Sequence, residues 1–447
     1  MIKSLLKRVI PKKLLDFYHF GMAHLAASFY RYPSTDLFVV GVTGTNGKSS
    51  TIQYLGRLLE HAGYKVGWTS TASFKVGEKE WVNDKKMTML GRFATHKLLR
   101  RMVKAKCDIA LVETSSQGIL QHRHIGIHYD MSVFTNLTPE HIEAHGGFEN
   151  YKAAKRILFE CVEQAEQKYL KGKEVRRGIV VNIDDEHAQD FLEYSVDKKF
   201  GFGVKFEKPE PVFAAATPVV AKHVDLSAKG TQFDVSGHTF SLKPIGMFNL
   251  YNVMASIAAC RALGVEWEKL QSGVKALQSV PGRLEVIDEG QPYSVIVDYA
   301  YEPAALSALY ATLELIDYKR ILHVTGSAGG GRDKARRRKI GRLAAEHDDI
   351  VIVTNEDPYD ENPRQIIDMV AAGAREGGKK ENKDLYLIED RRKAINHAIS
   401  LAKEGDLVII TGKGSEPIMA VAKGKKVPWD DRKVARECIK KRYERKK

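Results

Sequence analysis

From Leu37 onward the chain alternates short apolar runs with longer stretches of helical spacing. The first runs cover 37–42, 110–113, 132–135 and 178–183. A second series covers 293–297, 320–324, 349–353, 385–388 and 407–410. Most are rich in β-branched residues and lack polar alternation, which marks strands buried on both faces. Most lead into a helical or glycine-rich segment. That order predicts parallel sheets of the α/β class in two series. Between about Phe200 and Lys243 the series breaks, and the alternating Gln232, Asp234 and Ser236 predict antiparallel strands. Pro281–Gly282 is the expected boundary. The reading is therefore a short basic amphipathic segment (1–36), a central α/β domain (37–280) and a C-terminal α/β domain (281–447). No internal repeat is visible.

Within the first segment, Ile2, Leu5, Leu6, Val9 and Ile10 fall at helical spacing with Lys3, Lys7 and Arg8 between them. Pro11 is placed to open a second helical stretch, where its missing N–H costs nothing. Asp16, His19 and His24 interrupt the apolar character and no small-residue cleavage site follows, which argues against a signal peptide. No stretch is long and apolar enough to span a bilayer. Such a helix either lies on an anionic membrane surface, giving peripheral contact at the inner face, or packs on the body of the protein.

The length of 447 residues fits about three segments of domain size. Hydrophobic residues at 43% and charged residues at 28% exclude disorder or coiled coil for the bulk of the chain. Cys107, Cys161, Cys260 and Cys438 lie far apart, without metal-ligand spacing, so a zinc site and a disulfide framework are not expected and a cytoplasmic setting is. Lys and Arg number 70 against 56 Asp and Glu, a net charge of +14 concentrated at 3–13, 332–339 and 440–447. Such charge suits acidic partners. No RNA-binding or helix-turn-helix signature accompanies it, so nucleic acid is not expected.

Residues 41–50 read Gly-Val-Thr-Gly-Thr-Asn-Gly-Lys-Ser-Ser, directly after the first apolar run and before the helical pattern Ile52, Leu55, Leu58, Leu59. This is the context of a phosphate-binding loop. The backbone N–H groups of Gly44, Thr45, Asn46, Gly47 and Lys48, with the helix start at Ser49 and Ser50, are placed to cradle phosphates. Lys48 reaches the β/γ oxygens and Ser49 ligates Mg²⁺ in such a loop. The position five before Gly47 is Val42, a departure from the general Walker spacing. Glu113 ends an apolar strand before Thr114-Ser115-Ser116, a natural place for a Mg²⁺ carboxylate. The next strand leads to Thr135-Asn136-Leu137, then His141 and His145, and Lys155 follows in Tyr-Lys-Ala-Ala-Lys-Arg. Alone, each of these polar residues would read as structural. The combination gives them a joint reading.

These motifs occur in an order that resembles the Mur ligase family, most closely its MurE type, from about residue 37 to 437. The set includes Glu-Thr-Ser-Ser (113–116), Gln-His-Arg (121–123), Phe-Thr-Asn-Leu (134–137), His-Gly (145–146), Gly-Met-Phe-Asn-Leu-Tyr-Asn (246–252) and Val-Pro-Gly-Arg-Leu-Glu (280–285). It continues with Val-Asp-Tyr-Ala (297–300), Gly-Arg-Asp-Lys (331–334), Gly-Lys-Gly-Ser-Glu (412–416) and Trp-Asp-Asp-Arg-Lys-Val-Ala-Arg-Glu (429–437). The resemblance implies an ATP-dependent amide-bond ligase working through an acyl phosphate, which adds an amino acid, a diamino acid in the MurE type, to a peptidoglycan-precursor peptide. It implies that Ser49 and Glu113 hold one Mg²⁺, and that His141 and a carbamate on Lys155 serve a second. Two anions must approach one another, so cations must neutralise them. By the same resemblance Asn249 and Asn252 face adenine. Arg283, Asp298 and Lys334 face ribose and phosphates, with domain closure excluding water. Thr88, Ser115, Ser116, Gln121, Arg123, Asp357, Tyr359, Arg364, Gly412 and Glu416 face the substrates. A monomer is expected.

The sequence also departs from the family pattern. MurE-type enzymes carry an N-terminal domain that grips the UDP part, and here only a short segment precedes the first run. The family's Thr-Thr-Pro loop reads Met87-Thr88-Met89-Leu90. Its Asp-Asn-Pro-Arg motif becomes Glu356-Asp357-Pro358-Tyr359, with an Asn-Pro-Arg displaced to 362–364. An arginine can clamp a diaminopimelate carboxylate bidentately. Here either Arg364 substitutes for it or the amine differs. Ser415 and Tyr301 each replace a family histidine. The alternatives are a sister ligase of the folylpolyglutamate synthase or cyanophycin synthetase kind acting on a non-UDP substrate, and, more remotely, a P-loop ATPase working with nucleic acid.

Overall fold

The structure is a computed structural model and describes residues 12–139, 145–204, 216–331 and 334–444. Helix α1 (Lys12–Phe29) and a turn of 3-10 helix (Pro33–Asp36) lead into β1 (Phe38–Thr43) and α2 (Lys48–His61). Strands β2 (Val66–Thr69), β3 (Ser73–Val76) and β4 (Lys79–Val82) precede α3 (Arg92–Lys104) and β5 (Ile109–Glu113). Then come α4 (Ser116–Leu120), β6 (Met131–Phe134) and α5 (Phe148–Glu163), followed by a small hairpin of β7 (Tyr169–Leu170) and β8 (Lys173–Glu174). Next are β9 (Gly178–Asn182), α6 (Ala188–Leu192), β10 (Lys198–Gly203) and β11 (Thr217–Val220). One sheet takes nine of these strands in the order β11-β10-β9-β6-β1-β5-β2-β3-β4. The central strands are parallel, and β3 and β4 turn back as antiparallel partners at one edge.

Strands β12 (Lys222–Ser227), β13 (Gly230–Val235) and β14 (His238–Leu242) form a separate three-stranded sheet. Their two-residue connections admit only antiparallel pairing. Helices α7 (Met247–Ala262) and α8 (Trp267–Ala276) follow. The remainder is β15 (Glu285–Val286), β16 (Ser294–Val297), α9 (Pro303–Leu313), β17 (Ile321–Thr325), α10 (Ala335–His347), β18 (Ile350–Val353) and α11 (Pro363–Glu376). It closes with β19 (Leu385–Leu387), α12 (Arg391–Leu401), β20 (Leu407–Ile410), β21 (Ile418–Val421), β22 (Lys425–Pro428) and α13 (Asp431–Glu444). A six-stranded sheet orders these as β15-β16-β20-β17-β18-β19, parallel except for β15. The chain thus contains two compact units. The first holds most of the chain up to Leu277, and the second holds Gln278 onward together with the short segments 226–231 and 243–248.

All nine predicted runs are strands, each within one residue of its expected ends. Their continuous hydrophobicity has a direct cause in β16. Val295 and Val297 enter one core cluster with Leu322, Val324 and Ile395, while Ile296 enters another with Leu306, Ile340 and Ile367. Successive side chains point to opposite faces, and helices cover both, so the three buried positions of this strand are all apolar. In the first unit the core gathers Val39, Val112, Tyr129, Leu158 and Phe159, with Phe134 stacked on Phe191 at 3.9 Å.

The predicted break in the parallel series falls later than the sequence suggested. Strands β10 and β11 still pair in parallel on the central sheet, and the separate three-stranded sheet begins only at Lys222. β10 reads Lys-Lys-Phe-Gly-Phe-Gly, which gives no apolar run, and β11 is an edge strand that tolerates Pro218. The β2–β4 hairpin was likewise not visible as a pattern, because its strands are four residues long and carry Lys75, Lys79 and Glu80.

Candidate active site

Three neighbouring parallel strands end side by side, β5 in the candidate Glu113 and β1 and β6 leading into the 44–50 loop and the 135–137 segment. Val42 of β1 pairs with Glu113 of β5, and Thr43 pairs with Phe134 of β6. The loop 44–47, Glu113 and the 135–138 segment therefore meet at the carboxyl end of the sheet, where open α/β folds bind ligands.

The loop is shaped by two glycines that nothing else could replace. Gly44 has φ +150° and a Cβ there would lie 1.9 Å from Thr135 Oγ1. Gly47, which precedes α2, has φ +82° and would meet Asn252 Oδ1 at 2.2 Å. The 135–138 segment clamps the loop. Thr45 N donates to Asn136 O (2.8 Å), Asn46 N to Asn136 Oδ1 (2.8 Å), and Thr138 N to Thr45 Oγ1 (3.0 Å). Thr135 Oγ1 donates to Asn46 O at 2.7 Å. Lys48 folds over the loop, its Nζ donating to Gly44 O (2.9 Å) and Thr45 O (2.7 Å).

At the start of α2, Ser49 Oγ donates to Glu113 Oε2 at 2.7 Å. Glu113 is buried and also accepts from Thr71 N (2.6 Å) and Thr71 Oγ1 (3.0 Å). Thr71 was missed by sequence reading, since it follows a strand that left no pattern. It in turn bonds Thr88 Oγ1 at 3.0 Å, which brings the Thr88 loop to the same corner. A hydroxyl and a carboxylate held together are hard oxygen ligands that suit Mg²⁺. Among the described residues no three His, Cys, Asp or Glu side chains form a metal cluster. His141 lies outside the described residues.

Lys155, on α5, is buried with Nζ donating to Gly44 O at 2.7 Å, and it sits 4.3 Å over the Tyr151 ring. Tyr151 OH is 3.0 Å from Thr45 Oγ1. Lys48 and Lys155 thus both address the Gly44 carbonyl. Ser115 caps α4 by accepting from Gly118 N, while Ser116 Oγ lies 3.2 Å from His145 Nε2. Arg123 donates to Gln121 Oε1 (2.5 Å) and to the Met89 carbonyl, which fixes it beside Thr88. Asn249 and Asn252 are buried on α7. Tyr54 OH donates to Asn249 Oδ1 (2.9 Å), and Thr51 Oγ1 to Asn252 Oδ1 (3.3 Å), so both dock α7 on α2.

The second unit holds the remaining candidates. Asp298 accepts from Leu284 N (2.7 Å) and Ala300 N (2.6 Å), and burial pushes its carboxyl above the usual range despite nearby Arg283. Arg283 lies 4.1 Å over the Tyr299 ring, and Lys334 precedes α10 on the surface. Lys413 is fully buried and donates to both oxygens of Asp357 (3.0 Å each), to Glu416 Oε2 (2.5 Å) and to Ile418 O (2.8 Å). Tyr299 OH donates to Glu416 Oε1 at 3.0 Å. Gly412 has φ +105° and a Cβ there would lie 2.6 Å from Glu356 Oε2. Burial raises the Glu356 carboxyl, with Asp357 adding to the shift. Tyr359 has φ +52° and its ring packs on Gly330, while Arg364 is half exposed and paired with Asp368 at 3.1 Å. The structure therefore places Tyr359 in this corner and Arg364 on the helix surface. Lys413, the hub of the cluster, was not singled out as a site residue by the sequence reading, although it lies inside the Gly-Lys-Gly-Ser-Glu motif.

A nucleotide-type loop at the carboxyl end of a parallel sheet, in a chain with a second doubly wound unit, defines a nucleotide-using α/β enzyme. Residues 42–260 match the Mur ligase middle domain, and residues 282–414 the Mur ligase glutamate ligase domain. The UDP-N-acetylmuramoyl-L-alanyl-D-glutamate–2,6-diaminopimelate ligase of Syntrophomonas wolfei is 34% identical over 430 residues, covering 94% of this chain and 81% of that protein. A solved structure of an enzyme with that name is 26% identical, with a TM-score of 0.59, covering 91% of this chain and 79% of its own. Mycobacterium tuberculosis folylpolyglutamate synthase shares the fold at a TM-score of 0.66 and 18% identity, over 92% of this chain and 96% of that one. The chain belongs to the Mur ligase family. It is a ligase that forms carbon–nitrogen bonds, and MurE-type enzymes are its relatives in sequence.

Proposed function

We propose that this ligase uses ATP to join an amino acid, in its first instance a diamino acid, to the peptide carboxylate of a UDP-linked muramoyl dipeptide. The observation that carries the reading is the Ser49–Glu113 pair at the mouth of a loop held open by Gly44 and Gly47, with Lys48 and Lys155 beside it. The substrates named for the S. wolfei relative support the choice of acceptor and amine.

The peptide carboxylate oxygen attacks the γ-phosphorus and ADP leaves. The amine nitrogen then attacks the acyl carbon, phosphate leaves and the nitrogen loses a proton. Backbone N–H groups of the 44–48 loop and the start of α2 bind the phosphates, and Lys48 exchanges its loop carbonyls for phosphate oxygens. Ser49 and Glu113 are the residues that would hold a Mg²⁺, which when bound would offset charge between the two anions. The Lys155 amine adds to CO₂ and releases a proton, becoming a carbamate at a buried position beside the loop. In the second unit, Glu416 and Asp357 are carboxylates suited to the ammonium of the incoming amino acid, and Lys413 orients them.

Product mass spectrometry tests this directly. ATP, Mg²⁺ and UDP-MurNAc-L-Ala-D-Glu are supplied with meso-diaminopimelate, L-lysine and L-ornithine together. A mass gain equal to one amine is expected. The absence of any adduct from protein that binds ATP would transfer the reading to a non-UDP acceptor, as in a sister ligase.

A further inference from the structure

Helix α1 is amphipathic in reverse. It rests on the first unit through its smallest side chains: Ala23, Ala26 and Ala27 are fully buried, and Ala27 lies so close to Gly126 that a Cβ there would come within 2.3 Å of it. Arg100 of α3 fixes the end of the helix by donating to Tyr30 O (3.0 and 2.8 Å) and Arg31 O (2.8 Å). The large apolar side chains point the other way. Leu14, Phe17, Tyr18, Leu25 and Phe29 are 55–72% exposed. Positions 14, 17, 18, 25 and 29 share one helical face. The ring of Phe93 on α3, also exposed, lies 6.1 Å from that of Phe29 and extends the patch.

Charge identifies what covers this face. Residues 1–31 contain six Lys or Arg and one acid, Asp16, which His122 holds at 2.7 Å. Helix α3 packs alongside and carries five Lys or Arg and no acid, with Lys97, Arg101 and Lys104 exposed. An aromatic-rich apolar face with basic flanks is the composition of a helix lying in an anionic lipid interface. A second copy of the chain would bring the same positive charge to an isologous contact. Among the described residues no helix is long and apolar enough to cross a membrane, so the contact is interfacial.

We propose that the outward face of α1, extended by Phe93, seats the protein on the surface of an anionic bilayer. This inference does not rest on the ligase reading. Flotation of the full chain with phosphatidylcholine–phosphatidylglycerol vesicles, and with phosphatidylcholine alone, tests it beside the double variant Phe17→Glu/Phe29→Glu. Both positions are exposed, so an unchanged melting curve is expected. The wild type floats with the anionic vesicles only. The double variant loses binding by about a hundredfold, tenfold per buried ring, while ligation in solution is unchanged. Failure to float, equal flotation of the variant, or equal binding to neutral vesicles would each overturn the proposal. So would a dimer in sedimentation that the same substitutions dissolve, which would assign the face to a second copy.

Discussion

Glu113 collects hydrogen bonds from Ser49, 64 residues earlier, and from Thr71, 42 residues earlier. Neither contact is visible in the sequence, and alone Glu113 reads as a structural strand-end carboxylate; only its combination with the Gly-Lys-Ser loop and the later motifs made it a candidate. Thr71 was not legible, because a threonine after a four-residue strand carries no pattern. Lys155 shows how context converts a residue. In sequence it is one lysine of a basic helical stretch. In the fold it is buried at the Gly44 carbonyl. If its carbamate is needed, Lys155→Ala reduces ligation on the order of a hundredfold or more. Short carboxylic acids, which can replace the missing anion, then restore part of the rate in an ADP-release assay. An unimpaired variant would remove the carbamate from the mechanism.

At the scale of elements, the placement of β1 depends on a buried ion pair outside the site. Lys168 Nζ binds Asp130 Oδ2 at 2.5 Å and also donates to Ser34 O (3.1 Å) and Leu37 O (2.6 Å). Asp130 Oδ2 accepts in turn from Val39 N at 2.7 Å. The pair therefore ties the 3-10 turn to the first residues of β1, whose far end carries the loop. Burial lowers the Lys168 pKa and the Asp130 charge opposes that shift. Asp130→Asn leaves a buried ammonium with weaker partners, and a loss of about 3–5 kcal/mol in chemical denaturation is expected. The parallel strands were legible because burial on both faces makes most of their positions apolar, with polar exceptions such as His323 and Ser132 few enough to leave the runs visible. The antiparallel strands β2–β4 were not, since four-residue strands at one side of the sheet accept Lys and Glu, and neither was β10, whose Lys-Lys-Phe-Gly-Phe-Gly offers no apolar run.

The whole molecule separates chemistry between two compact units, each with its own polar cluster on its own parallel sheet. The loop cluster belongs to the first, and the Lys413–Asp357–Glu416 cluster to the second. A change in the second cluster that removes one charge and keeps the side-chain shape should then spare nucleotide binding. Glu416→Gln is expected to lower ligation at least about tenfold while isothermal titration still shows ATP binding at the wild-type affinity; a parallel loss of both would merge the two roles. By itself the sequence determined the fold class, the glycine-rich loop, the strand-end carboxylate and the likeness to Mur ligases. All of these are written in local patterns of burial, spacing and backbone freedom. Tertiary structure alone decided that Glu113 meets Ser49 and Thr71, that Tyr359 rather than Arg364 occupies the corner by Gly330, and that α1 buries its alanines and exposes its rings. Periodicity places side chains on one face of a helix. Which face is buried depends on what the rest of the chain brings against it, and at α1 the close approach of Gly126 admits only Ala27 and leaves Phe17 and Phe29 outside.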